Sequence, residues 1–284
     1  MKYKIEFISG AILFGTIGVF RRMTPFPSGI LSAVRLALCI VFFLCVLLIM
    51  RRKPDMAVIK ANLKYLIPSG LCIGLYLITA AESFIYTSVP KATLCFFIAP
   101  IVVVLLSPLF FDERINLRKV ICLFTALIGL VLISGVVGSG ALQPGEYRGI
   151  VMALLTAAML VGVMIFNKKI QGVGGIERTM IQFMIGLVAA VPYAIIVDNP
   201  ADIVFSPVGI LFLLLLALVS TGLSYMLYFM GIEGMPMQAA AMLSYLEPIS
   251  ACVLSAIILP EYMSLMQVIG AVLLLGSAIV CQKE

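Results

Sequence analysis

The sequence predicts an all-α integral membrane protein, with ten transmembrane helices arranged as two inverted five-helix repeats around a central cavity. Three observations predict it. Of 284 residues, 63% are hydrophobic and only 11% charged, against roughly a quarter charged in a soluble domain; a soluble chain of this size could not bury so much apolar surface. The apolar residues gather into ten runs of membrane-spanning length. The second half of the chain also repeats the first, with the charge of equivalent loops changed in character.

A spanning helix needs about 20 apolar residues, with a range of roughly 17–25. Runs at 5–20, 29–50, 65–86, 92–111, 119–137, 149–166, 179–197, 207–230, 237–259 and 264–281 meet that need. The first is short and follows Lys2 and Lys4, as in a signal peptide. It ends in Phe20, Arg21 and Arg22 with no small-residue cleavage site, so it reads as a retained span. The connections are short, and no soluble domain fits between them. The longest break, GSGALQPG at 138–145, lies mid-chain. The expected division is therefore a first repeat over 1–138, a linker over 139–148 and a second repeat over 149–284.

The repeat shows in ordered matches. IAPIV at 98–102 followed by FDE at 111–113 resembles LEPIS at 246–250 followed by Pro260 and Glu261. Pro100 to Pro248, Glu113 to Glu261 and Gly74 to Gly222 are each 148 positions apart. Five spans per repeat is odd, so the second repeat must enter the membrane inverted. With the N-terminus inside, the cytoplasmic segments hold 14 of the 19 Lys and Arg, the outer segments four (Arg21, Arg22, Lys91 and Arg148), and Arg35 lies within a span. That bias is the positive-inside pattern, and it puts both termini in the cytoplasm of a cell whose plasma membrane holds the chain. Inverted repeats belong mainly to secondary transporters, which rock around a site near the midplane.

Composition excludes other classes. The chain has no His, which removes Ser-His-Asp and Cys-His catalysis, imidazole relays and His-based zinc sites. The seven cysteines sit in apolar runs without C-x-x-C spacing and read as small buried hydrophobes. No cofactor and no metal site is expected, and the absence of a P-loop motif argues against ATP hydrolysis by this chain. The net charge of +6 falls in loops that orient helices, so no nucleic-acid partner is expected.

Tyr86-Thr-Ser-Val89, then Pro100, the FDER at 111–114 and the GLVLISG at 129–135 resemble one EamA repeat. The YMLYFMGI at 225–232, the SYLEP at 244–248, Pro260-Glu261 and the GAVLLLG at 270–276 resemble another. Together they resemble a ten-helix member of the drug/metabolite transporter superfamily. The resemblance implies a helical basket with a cavity chiefly between the third, fourth, eighth and ninth helices. It also implies carriage of small metabolites, amino acids or drug-like compounds, often outward; it fixes no substrate.

Ionisable groups at membrane depth are costly and are functional candidates by default. Glu247 lies about 10 residues, hence roughly 15 Å, into the ninth span. Pro248 follows and should kink the helix and free the carbonyl of Ser244; Pro100 is its counterpart on the fourth. Two roles are open to Glu247: binding an amino group or coupling proton, or capping the kink in protonated form. Arg35 and Glu82 fall at similar depth in the outer leaflet and could pair. That pair would be a lock between two helices, or else a carboxylate site with a gate. Gln182 is the uncharged counterpart of Arg35. Tyr76, Thr79, Ser83 and Tyr86 share a helical face on the third span, as do Thr221, Ser224, Tyr225 and Tyr228 on the eighth. Each stripe should face a cavity or another helix. Tyr245, Phe96 and Phe97 are candidates for the same lining. The expected activity is alternating-access export of a small-molecule substrate, with protons as candidate coupling ion. An uncoupled facilitator, an importer and a non-transporting partner subunit are the alternatives.

Overall fold

The structure, a computed structural model, describes residues 2–51, 54–99, 102–103, 106, 110, 117–133, 145–233, 243–244, 246–258 and 264–282. Among these residues all regular structure is helical. Six stretches are long and apolar enough to cross a membrane: Lys2–Arg22, Ser28–Ile49, Met56–Tyr86, Glu146–Lys169, Gly175–Val197 and Pro207–Tyr228. The first comprises α1 (Lys2–Phe14) and α2 (Thr16–Arg22). Then come α3 (Ser28–Ile49), α4 (Met56–Tyr86), α5 (Val89–Phe96), α6 (Leu117–Ile133), α7 (Glu146–Lys169) and α8 (Gly175–Val197). The eighth expected run is α9 (Pro207–Leu214), a π-helical segment (Leu215–Leu223) and α10 (Ser224–Glu233). The last helices are α11 (Leu246–Ile258) and α12 (Leu265–Gln282). The fourth, fifth, ninth and tenth expected runs thus contain helices of 8, 17, 13 and 18 described residues.

Large apolar side chains remain outside: Leu48 and Ile49 on α3 are 76% and 82% exposed, Ile195 and Ile196 on α8 75% and 80%. In water this would cost on the order of 25 cal/mol per Å²; against lipid tails it is the expected surface.

Several boundaries differ from the sequence expectation, each for a local reason. α4 begins at Met56, not at 65, because Asp55 accepts the N–H groups of Ala57 (2.9 Å) and Val58 (3.3 Å) as an N-cap. Its polar first turns, invisible to a hydropathy count, are clasped by Asn62, which donates to Gln171 O (3.0 Å) and accepts from Gln171 N (3.1 Å). The first span breaks at Gly15. There Gly15 N reaches back only to Ile12 O (3.1 Å), and Thr16 Oγ1 bonds to Leu13 O (2.6 Å). Arg21, expected in an outer segment, closes α2 and is buried, with donations to Ala81 O, Thr24 O and Ser28 Oγ at 2.9–3.2 Å. The π segment carries its own signature: Thr221 Oγ1 bonds to Leu216 O (2.7 Å) and Ser224 Oγ to Val219 O (3.0 Å), five residues back. Thr24, Thr79, Thr125, Thr156 and Thr179 bond four residues back.

Contacts between the halves follow a two-fold exchange. α4 packs on α7, and its counterpart α10 packs on α1; α3 packs on its own counterpart α8, α5 on α11, and α6 on α12. Two main apolar clusters result. One joins Leu36 and Phe43 of α3 to Leu77 of α4 and Phe183 of α8. The other joins Phe84, Val89 and Phe96 to Leu130, Ala251 and Leu274.

Candidate substrate site

A narrow cleft lies where the two clusters meet. Its polar lining is Arg35, Tyr76, Thr93 and Glu247; Phe14, Phe84 and Phe96 form its apolar walls, and Gly15 its floor at the break in the first span. Four elements supply the charged and polar groups: α3, α4, α5 and α11. The free volume is about 20 Å³, room for about one water molecule.

Arg35 donates from Nε to Thr221 Oγ1 at 2.5 Å, and Cys39, one turn along α3, donates to Ala217 O at 3.1 Å. These bonds clasp α3 to the π segment. The two Nη groups of Arg35 have no protein partner among the described residues. The Glu247 carboxylate and the Tyr76 hydroxyl likewise have none among the described residues, and none of these atoms is sealed from the cleft. The Nη edge of Arg35 and the carboxylate of Glu247, neither hydrogen-bonded among the described residues, therefore line one cleft. Aromatic rings back it: Phe14 meets Tyr225 edge-on at 4.8 Å and Tyr228 at 5.9 Å.

The ninth span is irregular beside Glu247: Leu243 is helical, Ser244 forms a turn, and helix is described again from Leu246. Glu247 and Pro248 lie at the beginning of the described stretch of α11, close to the turn at Ser244. The Ser244 carbonyl is not freed; it accepts Glu247 N at 3.0 Å.

The expected Arg35–Glu82 pair does not form. Arg35 turns to Thr221, and Glu82 shares its electrostatic surroundings with Arg21, Asp198 and Tyr193 at the end of α4. A common depth did not put them on facing helix surfaces. Other candidates also leave the cleft. Thr79 accepts from Thr156 (2.8 Å) and Ser83 bonds to Ala80 O (2.8 Å), so both serve helix packing and backbone. Tyr86 lies under the Arg148 guanidinium, 4.5 Å from its ring centre. Phe97 is buried in the apolar cluster beside Phe96, which takes the lining place. Gln182 donates to Ser69 Oγ (2.6 Å) and to Asn167 Oδ1, tying α8 to α4 and α7. Pro100 and Tyr245 lie outside the described residues. The sequence pattern did not mark Phe14 or Thr93, which also line the cleft.

A polytopic helical protein with a charged, aromatic-walled cleft between two related halves belongs to the class of membrane carriers. The EamA-like transporter family model matches residues 3–135 and again 147–281, and the chain belongs to that family, as a transporter and not an enzyme. It is 27% identical to an uncharacterized transporter, YxxF, of Bacillus subtilis (strain 168) over 272 residues, 95% of this chain and 86% of that one. It is 27% identical over 290 residues to an uncharacterized transporter of Archaeoglobus fulgidus, covering 100% of this chain and 98% of the relative. A solved crystal structure superposes with a TM-score of 0.78 at 16% identity, covering 99% of this chain and 96% of the other, a likeness of fold.

Proposed function

We propose that the chain is a secondary carrier exporting small zwitterionic metabolites of the amino-acid class by alternating access. The observation that carries this reading is the pairing, in one cleft, of unengaged Arg35 Nη groups with an unengaged Glu247 carboxylate. A carboxylate fits a guanidinium fork by two parallel bonds, an ammonium group fits Glu247, and the Phe14, Phe84 and Phe96 walls suit an apolar substituent. A cleft with room for about one water must widen to admit such a molecule. Widening at alternate ends is the motion that inverted repeats provide.

In this reading the repeats 1–138 and 149–284, joined by 139–148, span the plasma membrane ten times in opposite senses, with both termini cytoplasmic. The 14-to-4 distribution of Lys and Arg supports that orientation. Glu247 is the group through which protons couple to transport. Glu247→Gln in reconstituted liposomes tests the site. Loss of substrate binding, and of flux driven by a proton gradient, is expected. Unchanged binding and flux for every compound the native protein carries would end the assignment.

A further inference from the structure

The segment Leu215–Leu223 is the one π-helical stretch among the described residues. Its counterpart in the first repeat, within α4, stays α-helical although it carries Pro68. The family repeat does not require this geometry, since one half lacks it. π turns recur at functional sites, where they re-aim a side chain.

This segment aims Thr221. Its hydroxyl donates to Leu216 O five residues back (2.7 Å), which leaves the oxygen lone pairs to accept Arg35 Nε at 2.5 Å. Had the helix remained α, each residue beyond the wide turn would lie about 100° round the axis from its present place, and the hydroxyl would leave Arg35. Thr221 and Arg35 are both buried, so the bond is shielded from competing water. Cys39 to Ala217 O (3.1 Å) fixes the same two elements one turn further on. A guanidinium held by Nε alone keeps its whole Nη1–Nη2 edge for a ligand, and its rotation about the side-chain axis is set.

We propose that Thr221 is a positioning residue for substrate selection: presented by the π segment, it holds Arg35 by Nε so that the Nη edge receives the substrate carboxylate. The inference rests on the substrate class proposed above and assigns a residue and a backbone feature that the reading does not need.

The test compares matched ligands on purified protein by ligand-induced shift of melting temperature, which reports affinity by mass action. The probes are L-leucine, L-methionine and L-phenylalanine, each against the amine lacking its carboxylate. The native protein is expected to favour at least one amino acid over its amine about tenfold or more, the size of a charge-assisted hydrogen bond. Thr221→Val should reduce that preference to within about threefold while amine binding stays near native, and Thr221→Ser should restore it. Arg35→Lys, which keeps the charge but has no Nε beside a fork, should lose the preference with Thr221 intact, and serves where Thr221→Val does not fold. Preference retained in Thr221→Val overturns the positioning role and leaves the site assignment standing, whereas preference retained in Arg35→Lys overturns both. No preference for any amino acid in the native protein overturns both.

Discussion

Arg35 and Gln182 occupy equivalent places in the two halves, and each makes a short bond to a side chain of a neighbouring helix. Arg35 reaches Thr221 and keeps its Nη edge for the cleft, whereas Gln182 is consumed by Ser69 and Asn167. The two equivalent positions are thereby used differently: one keeps polar N–H groups on the cleft, and the other ties three helices together. The same reading of partners gives a prediction about Glu82. Because Arg35 and Glu82 do not pair, the stability losses of Arg35→Ala and Glu82→Ala should add within about 0.5 kcal/mol in the double variant. Thermal or denaturant unfolding in detergent measures this, and a coupling well beyond that margin would mean the two groups meet. At this scale the charged positions were legible in the sequence because a charge inside an apolar run needs a reason. Arg35, Tyr76 and Glu247 do share one cleft. For Thr79, Ser83 and Tyr86 periodicity gave a common face but not which neighbour it meets: Thr79 and Tyr86 meet Thr156 and Arg148 of another helix, and Ser83 the backbone of α4.

Helices approach each other most closely where glycines leave room, and the consequences differ by site. A methyl group on Gly74 of α4 would come within 2.4 Å of the Gly186 carbonyl oxygen on α8, a backbone atom that cannot swing away. A methyl on Gly276 of α12 would meet nothing within 4 Å. Gly74→Ala should therefore cost about 1–3 kcal/mol by forcing α4 and α8 apart. Gly276→Ala should be neutral or stabilise by up to about 1 kcal/mol through helix propensity. Yields and melting temperatures of the two variants, prepared side by side, check the contrast; equal losses would mean that α4 and α8 do not touch as described. Apolar run length located the spans because lipid demands it. It could not reveal the Gly15 break or the π segment, since both rest on hydrogen bonds, Gly15 N to Ile12 O and Thr221 Oγ1 to Leu216 O among them, that leave hydropathy unchanged. Legible spans and illegible irregularities meet at the cleft, where every irregular element supplies or positions a lining group.

Across the whole molecule, the halves are tied at one end by charge. Lys91 at the start of α5 bonds to Glu146 at the start of α7 at 2.7 Å, with side-chain exposures of only 16% and 6%, and Thr87 Oγ1 adds a bond of 3.0 Å to the same carboxylate. Arg22 donates to Thr87 O at 2.9 Å, and Arg148 stacks on Tyr86. These contacts join the ends of α2 and α4 to the first turn of α7, across the boundary between the repeats and above Thr93, which lines the cleft two residues on from Lys91. In the orientation proposed above this end faces outward. Removing one partner from so dry a pair leaves an uncompensated charge, worth about 3–5 kcal/mol, which disfavours the closed arrangement and shifts population towards one open at this end. Thr93→Cys, in protein whose natural cysteines are replaced, gives a reporter. Glu146→Gln should raise its rate of modification by a membrane-impermeant maleimide added outside several-fold, and reversing the pair with Lys91→Glu and Glu146→Lys should return the rate towards its starting value. Modification that stays equally slow in Glu146→Gln would show that this end is held shut by the packing of α4 against α7, with the charges contributing nothing to the gate.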